Sequence, residues 1–126
     1  MRLTRAMIFV KDIRRMAEFY EKTLGLKPIE ETRLENWVEF DAGRAGFSLH
    51  AIPSELAQDI EITSPPRPRE RDPVKLTFEV DNLASQLRRL KSLGVPILDR
   101  PWGAHDGVDP EGNVFGIVES ASATPQ

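Results

Sequence analysis

Hydrophobic and polar residues alternate near the start of the chain and then change to a helical spacing. The alternation over residues 5–10 predicts a strand with Ala6, Ile8 and Val10 on one face and Arg5, Met7 and Phe9 on the other. Asp12 follows as a predicted helix N-cap. The apolar stripe of the helix is then Ile13, Met16, Phe19, Tyr20 and Leu24.

The same pattern returns 70 residues later. Val80 and Asn82 repeat Val10 and Asp12, so Asn82 is the second predicted N-cap. Each helix ends at a Leu-Gly pair and leads into short strands, among them residues 37–41, residues 46–52 and a hairpin through residues 109–113. The sequence therefore predicts two copies of one module, a strand and a helix followed by three strands.

A proline-rich segment joins the two copies. Residues 53–73 contain five of the ten prolines, and proline cannot donate a ladder hydrogen bond in a central strand. We therefore predict a single domain with modules at about residues 1–52 and 74–119. Residues 53–73 form a connecting arm, and residues 120–126 form a frayed tail.

Composition narrows the possible functions. The 126 residues include no cysteine, which excludes disulfide frameworks, thiolate metal sites and cysteine nucleophiles. The 17 basic and 20 acidic residues give a net charge of −3, so we expect no nucleic-acid partner. The apolar run at residues 6–10 is too short for a membrane span or a signal-peptide core, so we expect a cytoplasmic protein with no membrane partner.

Several motifs carry a resemblance to a known family. They are VKDI at residues 10–13, FY at 19–20, LGL at 24–26, PWG at 101–103 and DPEGN at 109–113. With the duplicated module, the chain resembles the vicinal oxygen chelate superfamily of glyoxalases, bleomycin-resistance proteins and extradiol dioxygenases over residues 3–119. The resemblance implies an α+β fold, in which two tandem βαβββ modules pair into an open, cupped mixed β-barrel with the helices outside. It does not identify a reaction, because one fold can serve several chemistries.

The resemblance also locates the metal ligands of the family. They correspond by position to Arg5, Ser48, Lys75 and Gly116, none of which is a credible divalent-metal ligand. We therefore expect no resident metal or cofactor. If the fourth strand were shifted by two residues, His50 would replace Ser48, and a divalent metal could then bind at an alternative site of His50, His105 and Glu39.

The side chains predicted to face the cavity combine aromatic rings with charged groups. Besides the ligand-binding residues named below, they include Glu39, Glu79, Gly116 and Val118. We predict that a homodimer binds a small organic ligand, anionic or aromatic, in a cavity between the modules. The predicted ligand-binding residues are Arg5, Met7, Phe9, Trp37, Ser48, His50, Lys75, Thr77, Trp102 and His105.

Two other functions stay open. In the first, the chain is a non-catalytic interaction module whose cavity is filled and binds nothing. Arg5 then pairs with Glu39, and Lys75 pairs with Glu79 or another acid. In the second, the chain is a metal-dependent lyase, isomerase or dioxygenase, similar to lactoylglutathione lyase or to a dioxygenase. Its candidate catalytic groups are then Glu39, His50 and Glu79.

Overall fold

A computed structural model describes residues 1–120, and most of the predicted frayed tail, residues 121–126, lies outside the described residues. The chain divides into two units, Met1–Glu61 and a second unit that begins at Ile62. Each unit contains one four-stranded mixed sheet with a helix. The predicted α+β fold of two βαβββ modules is confirmed.

The sheet of the first unit has the strand order β1-β4-β3-β2. β1 is parallel to β4, whereas β3 is antiparallel to both of its neighbours. A π-helical segment, Phe19–Thr23, extends the first helix, and a 3₁₀ turn, Glu30–Thr32, follows β2. The elements are β1 Arg5–Val10, α1 Ile13–Glu18, β2 Lys27–Pro28, β3 Trp37–Asp41, β4 Gly46–Ala51 and α2 Ser54–Ala57.

The first helix covers one face of this sheet. The Asp12 carboxylate accepts a hydrogen bond from the Arg15 backbone N–H at 3.1 Å, as expected of an N-cap. Tyr20, which is 1% exposed, packs with its ring centroid 4.8 Å from that of Phe47 and 6.4 Å from that of Phe40. The core of the unit therefore lies between α1 with its π-helical extension and the sheet.

The second unit repeats this arrangement. Its sheet has the order β5-β8-β7-β6 with β5 parallel to β8, and the Asn82 side chain accepts a hydrogen bond from the Ser85 N–H at 2.9 Å. The duplicated topology matches the sequence repeat. The elements are β5 Leu76–Val80, α3 Leu83–Ser92, β6 Ile97–Asp99, β7 His105–Val108 and β8 Val114–Glu119.

The connecting segment is shared between the two units. It starts with α2, and the division between the units falls at residues 61 and 62. Its later part packs on the turn between β7 and β8, where the Arg69 backbone N–H donates to the Gly112 carbonyl at 2.8 Å. The Arg69 guanidinium donates twice to the Glu111 carbonyl, at 3.0 and 3.2 Å. This half of the segment is therefore anchored to the second unit.

No helix within residues 1–120 combines the length and the apolar character that crossing a bilayer requires.

The packing of the connecting segment can be tested with two glycines of positive φ, Gly112 at 89° and Gly103 at 93°. A Cβ at Gly103 would meet nothing within 4 Å, whereas a Cβ at Gly112 would overlap the Arg67 carbonyl oxygen. We expect Gly103→Ala to cost about 1 kcal/mol from backbone strain and Gly112→Ala about 3 kcal/mol from strain and overlap. Urea unfolding measures both. Equal losses would show that the segment does not pack on this turn.

Candidate functional site

The face of the first sheet opposite α1 carries the predicted site residues of this unit. Because side chains alternate along a strand, burying the helix-facing positions places the intervening positions on the other face. Phe9 is 57% and Met7 40% exposed there. We call this surface the ring face. Its members are Arg5, Met7 and Phe9 of β1, Trp37 and Glu39 of β3, and Ser48 and His50 of β4.

Arg5 on the ring face is held by two neighbours. Its Nη2 atom lies 3.3 Å from Oε2 of Glu39, and its guanidinium carbon lies 5.3 Å from the centroid of the Trp37 ring. The other Glu39 oxygen accepts a hydrogen bond from the Thr32 hydroxyl at 3.3 Å. The Arg5 charge is therefore balanced by Glu39, which is the pairing that the interaction-module hypothesis expects.

Three rings meet on the ring face. The His50 ring centroid lies 5.4 Å from that of Phe9 and 6.1 Å from that of Trp37, and the Trp37 contact is nearly perpendicular. His50 Nδ1 lies 2.8 Å from the Ala51 carbonyl oxygen. Since a carbonyl oxygen only accepts, this contact requires a proton on Nδ1. The three rings therefore form an aromatic cluster whose planes are inclined to one another.

Ser48 lies among these side chains in the middle strand. Ser48 is fully buried, and its hydroxyl oxygen has no hydrogen-bond partner. The register pairs Ser48 with Met7 on one side and Glu39 on the other. The neighbouring pair of β1 and β4 on this face joins Phe9 to His50.

In the second unit, the predicted cation Lys75 belongs to a cluster of four charged side chains. Lys75 Nζ lies 2.9 Å from Oδ2 of Asp106, and Arg100 Nε lies 2.9 Å from the same oxygen. Arg100 also donates two hydrogen bonds to Glu70, at 2.7 and 2.8 Å. We call these residues the charge cluster, which contains as many cations as carboxylates.

The charge cluster keeps its carboxyl groups ionised. Burial raises the pKa of Asp106, but the hydrogen bonds from Lys75 and Arg100 outweigh burial and leave that pKa below its usual value. The hydrogen bond from Arg100 likewise lowers the pKa of Glu70. In turn, these carboxylates raise the pKa of Arg100 above its usual value, Glu70 contributing more than Asp106. Lys75 therefore pairs with an acid, and that acid is Asp106.

Gly116 lies beside Lys75 and Thr77 and has no room for a side chain. A Cβ at Gly116 would stand 2.8 Å from Thr77 Oγ1 and 3.5 Å from Lys75 Cε. Thr77, Glu79 and Val118 are exposed on the same face of this sheet, since Thr77 pairs with Gly116 and Glu79 pairs with Val118.

The remaining two predicted site residues lie elsewhere in the second unit. His105 pairs with Ile117 and Asp99, so it lies on the face opposite Asp106, and its Nδ1 is 2.7 Å from Asp99 Oδ1. This contact lowers the pKa of Asp99. Trp102 is 74% exposed, with its ring centroid 5.9 Å from the Arg100 guanidinium carbon. Among residues 1–120 the structure shows no group of three His, Asp or Glu side chains arranged to hold a metal ion within either unit.

The sequence matches the Glyoxalase/Bleomycin resistance protein/Dioxygenase superfamily over residues 2–117. The chain belongs to this superfamily. No curated protein matches the sequence significantly.

Solved structures share the fold over nearly the whole chain. A protein of unknown function from Agrobacterium tumefaciens is 27% identical with a TM-score of 0.67, and the match covers 95% of this chain and 94% of that one. Lactoylglutathione lyase from Agrobacterium tumefaciens is 21% identical with a TM-score of 0.63, covering 94% and 93%. An antibiotic-binding protein from a Streptomyces species is 20% identical with a TM-score of 0.63, covering 96% and 97%.

The residues at the four metal-ligand positions of the family do not fit a divalent metal. Arg5 and Lys75 are cations that already pair with Glu39 and Asp106. Ser48 offers one neutral hydroxyl, and Gly116 offers no side chain and no space for one. We therefore derive no metal chemistry for these positions.

Sequence reasoning missed the main acid of the charge cluster and two of its partners. Asp106 stands in the short strand His105–Val108, whose sequence HDGV resembles a loop, and Arg100 and Glu70 lie outside the strands. Only the register of β7 against β8 places Asp106 opposite Gly116, beside Lys75. The sequence signal for Asp106 was a charged residue next to a glycine, just before a predicted hairpin.

Removing the charge of Asp106 tests the charge cluster. At pH 7 we expect Asp106→Asn to lower the free energy of unfolding by about 2 kcal/mol, because Lys75 and Arg100 lose a buried carboxylate partner. Asp99→Asn is the control, since the Asp99 side chain is 60% exposed. Denaturant unfolding measures both variants, and an equal effect would contradict a special role for Asp106.

The pH dependence of stability provides a second test. The pKa of Asp106 is lower in the folded chain than in the unfolded chain, so ionised Asp106 stabilises the fold above its unfolded value of about 3.9. That contribution is lost as the pH falls below about 4. We expect wild type to lose more stability than Asp106→Asn on acidification from pH 5 to about 2.5, measured by urea unfolding at each pH. Parallel losses would overturn the assignment.

Proposed function

We propose that this chain is a metal-independent small-molecule binding protein that holds a planar aromatic ligand on the ring face. The meeting of Phe9, Trp37 and His50 beside one another is the observation that carries the proposal. Phe9 is exposed, and Trp37 and His50 are half-buried, so together they offer apolar area with polar edges, as ligand sites commonly do. The antibiotic-binding protein of the same fold supports a binding function for this chain.

Charge favours an aromatic ligand over an anionic one. Arg5 would attract an acid if it were free, but its partner Glu39 offsets its charge. The flat guanidinium, whose carbon lies 5.3 Å from the centroid of the Trp37 ring, instead adds a planar group to the aromatic cluster. A neutral planar molecule therefore fits the ring face better than a carboxylate.

We also propose that the protein works without a resident metal or cofactor, as a cytoplasmic homodimer. The unsuitable residues at the family's ligand positions support the first part of the proposal. The exposed side chain of Trp102 is a candidate for a dimer contact. Light scattering on the purified chain should give the mass of a dimer, and a monomer would refute this part.

Binding can be followed at the Trp37 indole N–H by NMR. The chain contains two tryptophans, so Trp102→Phe leaves Trp37 as the single reporter. We expect coumarin, a neutral planar bicyclic compound, to shift this signal saturably with a Kd on the order of 1 mM, and EDTA to leave the shift unchanged.

The variants Phe9→Ala and Leu56→Ala separate the ring face from general apolar exposure, because the two side chains are 57% and 61% exposed. We expect Phe9→Ala to weaken coumarin binding about fivefold and Leu56→Ala to leave it unchanged. Absence of a Trp37 shift would refute the binding proposal. Stoichiometric zinc, nickel, manganese or iron in protein purified without chelator would refute metal independence.

A further inference from the structure

A buried hydroxyl without a partner lies at the centre of the ring face. Ser48 is flanked across the sheet by Met7 and Glu39, and along β4 by Gly46 and His50. It is 0% exposed, and its Oγ atom makes no hydrogen bond. Among the buried side-chain polar atoms of residues 1–120, this is the one without a partner.

Such a group is unusual and costly. Buried polar side chains in folded proteins nearly always have a hydrogen-bond partner, since desolvation is otherwise uncompensated. Alanine at this position would fill nearly the same space without that cost. The structure of the chain without a ligand therefore does not explain why a hydroxyl stands at position 48.

We propose that Ser48 is the specificity-determining residue of the ring face and donates its hydroxyl hydrogen to a neutral oxygen on the bound ligand. The ligand is then a planar ring system that carries a carbonyl or a similar acceptor oxygen. This inference rests on the proposed function. It adds a directional contact to the stacking surface, which by itself accepts any planar ring.

The neighbours of Ser48 define the preferred charge of that oxygen. Glu39 is its partner across the sheet, where paired side chains stand about 5 Å apart, and it already neutralises Arg5, so the Arg5 charge is not available to a ligand carboxylate at Ser48. Arg5 already donates to Glu39 and does not offset a second acid. A carbonyl oxygen accepts the Ser48 proton without adding charge.

Met7 is a flexible neighbour of Ser48. This side chain is the register partner of Ser48 on β1 and is 40% exposed, so one side of it is free to move. Methionine is unbranched and adopts several rotamers at little cost. A ligand that stacks on the rings can therefore displace Met7 and reach the hydroxyl.

Two ligands of similar shape test the hydrogen bond. Coumarin carries a carbonyl oxygen and naphthalene carries none. From wild type to Ser48→Ala, we expect the ratio of coumarin affinity to naphthalene affinity to fall about fivefold, as one neutral hydrogen bond predicts, with naphthalene binding unchanged. The exposed Ser92→Ala at the end of α3 is the matched control and should leave the ratio unchanged.

The outcomes separate this inference from the proposed function. If both compounds shift the Trp37 signal but the ratio is the same in Ser48→Ala, the role of Ser48 is wrong and the binding function stands. If neither compound shifts it, the proposed function fails and the inference fails with it.

A measurement without ligand gives an independent check. Because the hydroxyl has no partner in the free chain, we expect Ser48→Ala to be at least as stable as wild type in urea unfolding. A clear loss of stability would show that the hydroxyl has a structural partner in the free chain, and it would overturn the inference.

Discussion

The packing of Tyr20 against Phe40 and Phe47 decides which face of the first sheet is buried. Once the helix covers that face, the strict alternation of side chains leaves the intervening residues on the other one. Met7 and Phe9 are exposed as a consequence of this packing rather than as a local feature of their strand. The ring face therefore exists because the core lies behind it.

The two units share a topology and differ in chemistry. The first sheet presents rings around Ser48, whereas the second presents the charge cluster around Asp106. Both have a cation at a position where the superfamily places a metal ligand, and in both that cation has a carboxylate partner. At these positions the chain carries paired charges rather than side chains that suit a divalent metal, and our binding proposal starts from that difference.

Two of the open hypotheses, the non-catalytic interaction module and the ligand-binding protein, predict the same charge pairs. The pairs Arg5–Glu39 and Lys75–Asp106 are expected if ion pairs fill the cavity of an interaction module. In a ligand-binding protein, the same pairs leave neither cation available to an anionic ligand. What distinguishes the hypotheses is the exposed aromatic area and the unpartnered hydroxyl of Ser48. A filled, vestigial site would require neither feature.

The sequence by itself determined the duplicated module, the N-caps Asp12 and Asn82, and the residues on each face of the first sheet. These features follow from local periodicity and turn chemistry, which act over a few residues. Only the tertiary structure decided that Lys75 and Arg100 both pair with Asp106, that His105 lies on the opposite face, and that Ser48 has no partner. Those facts depend on strand register and on contacts between residues far apart in the chain, which local sequence patterns do not encode.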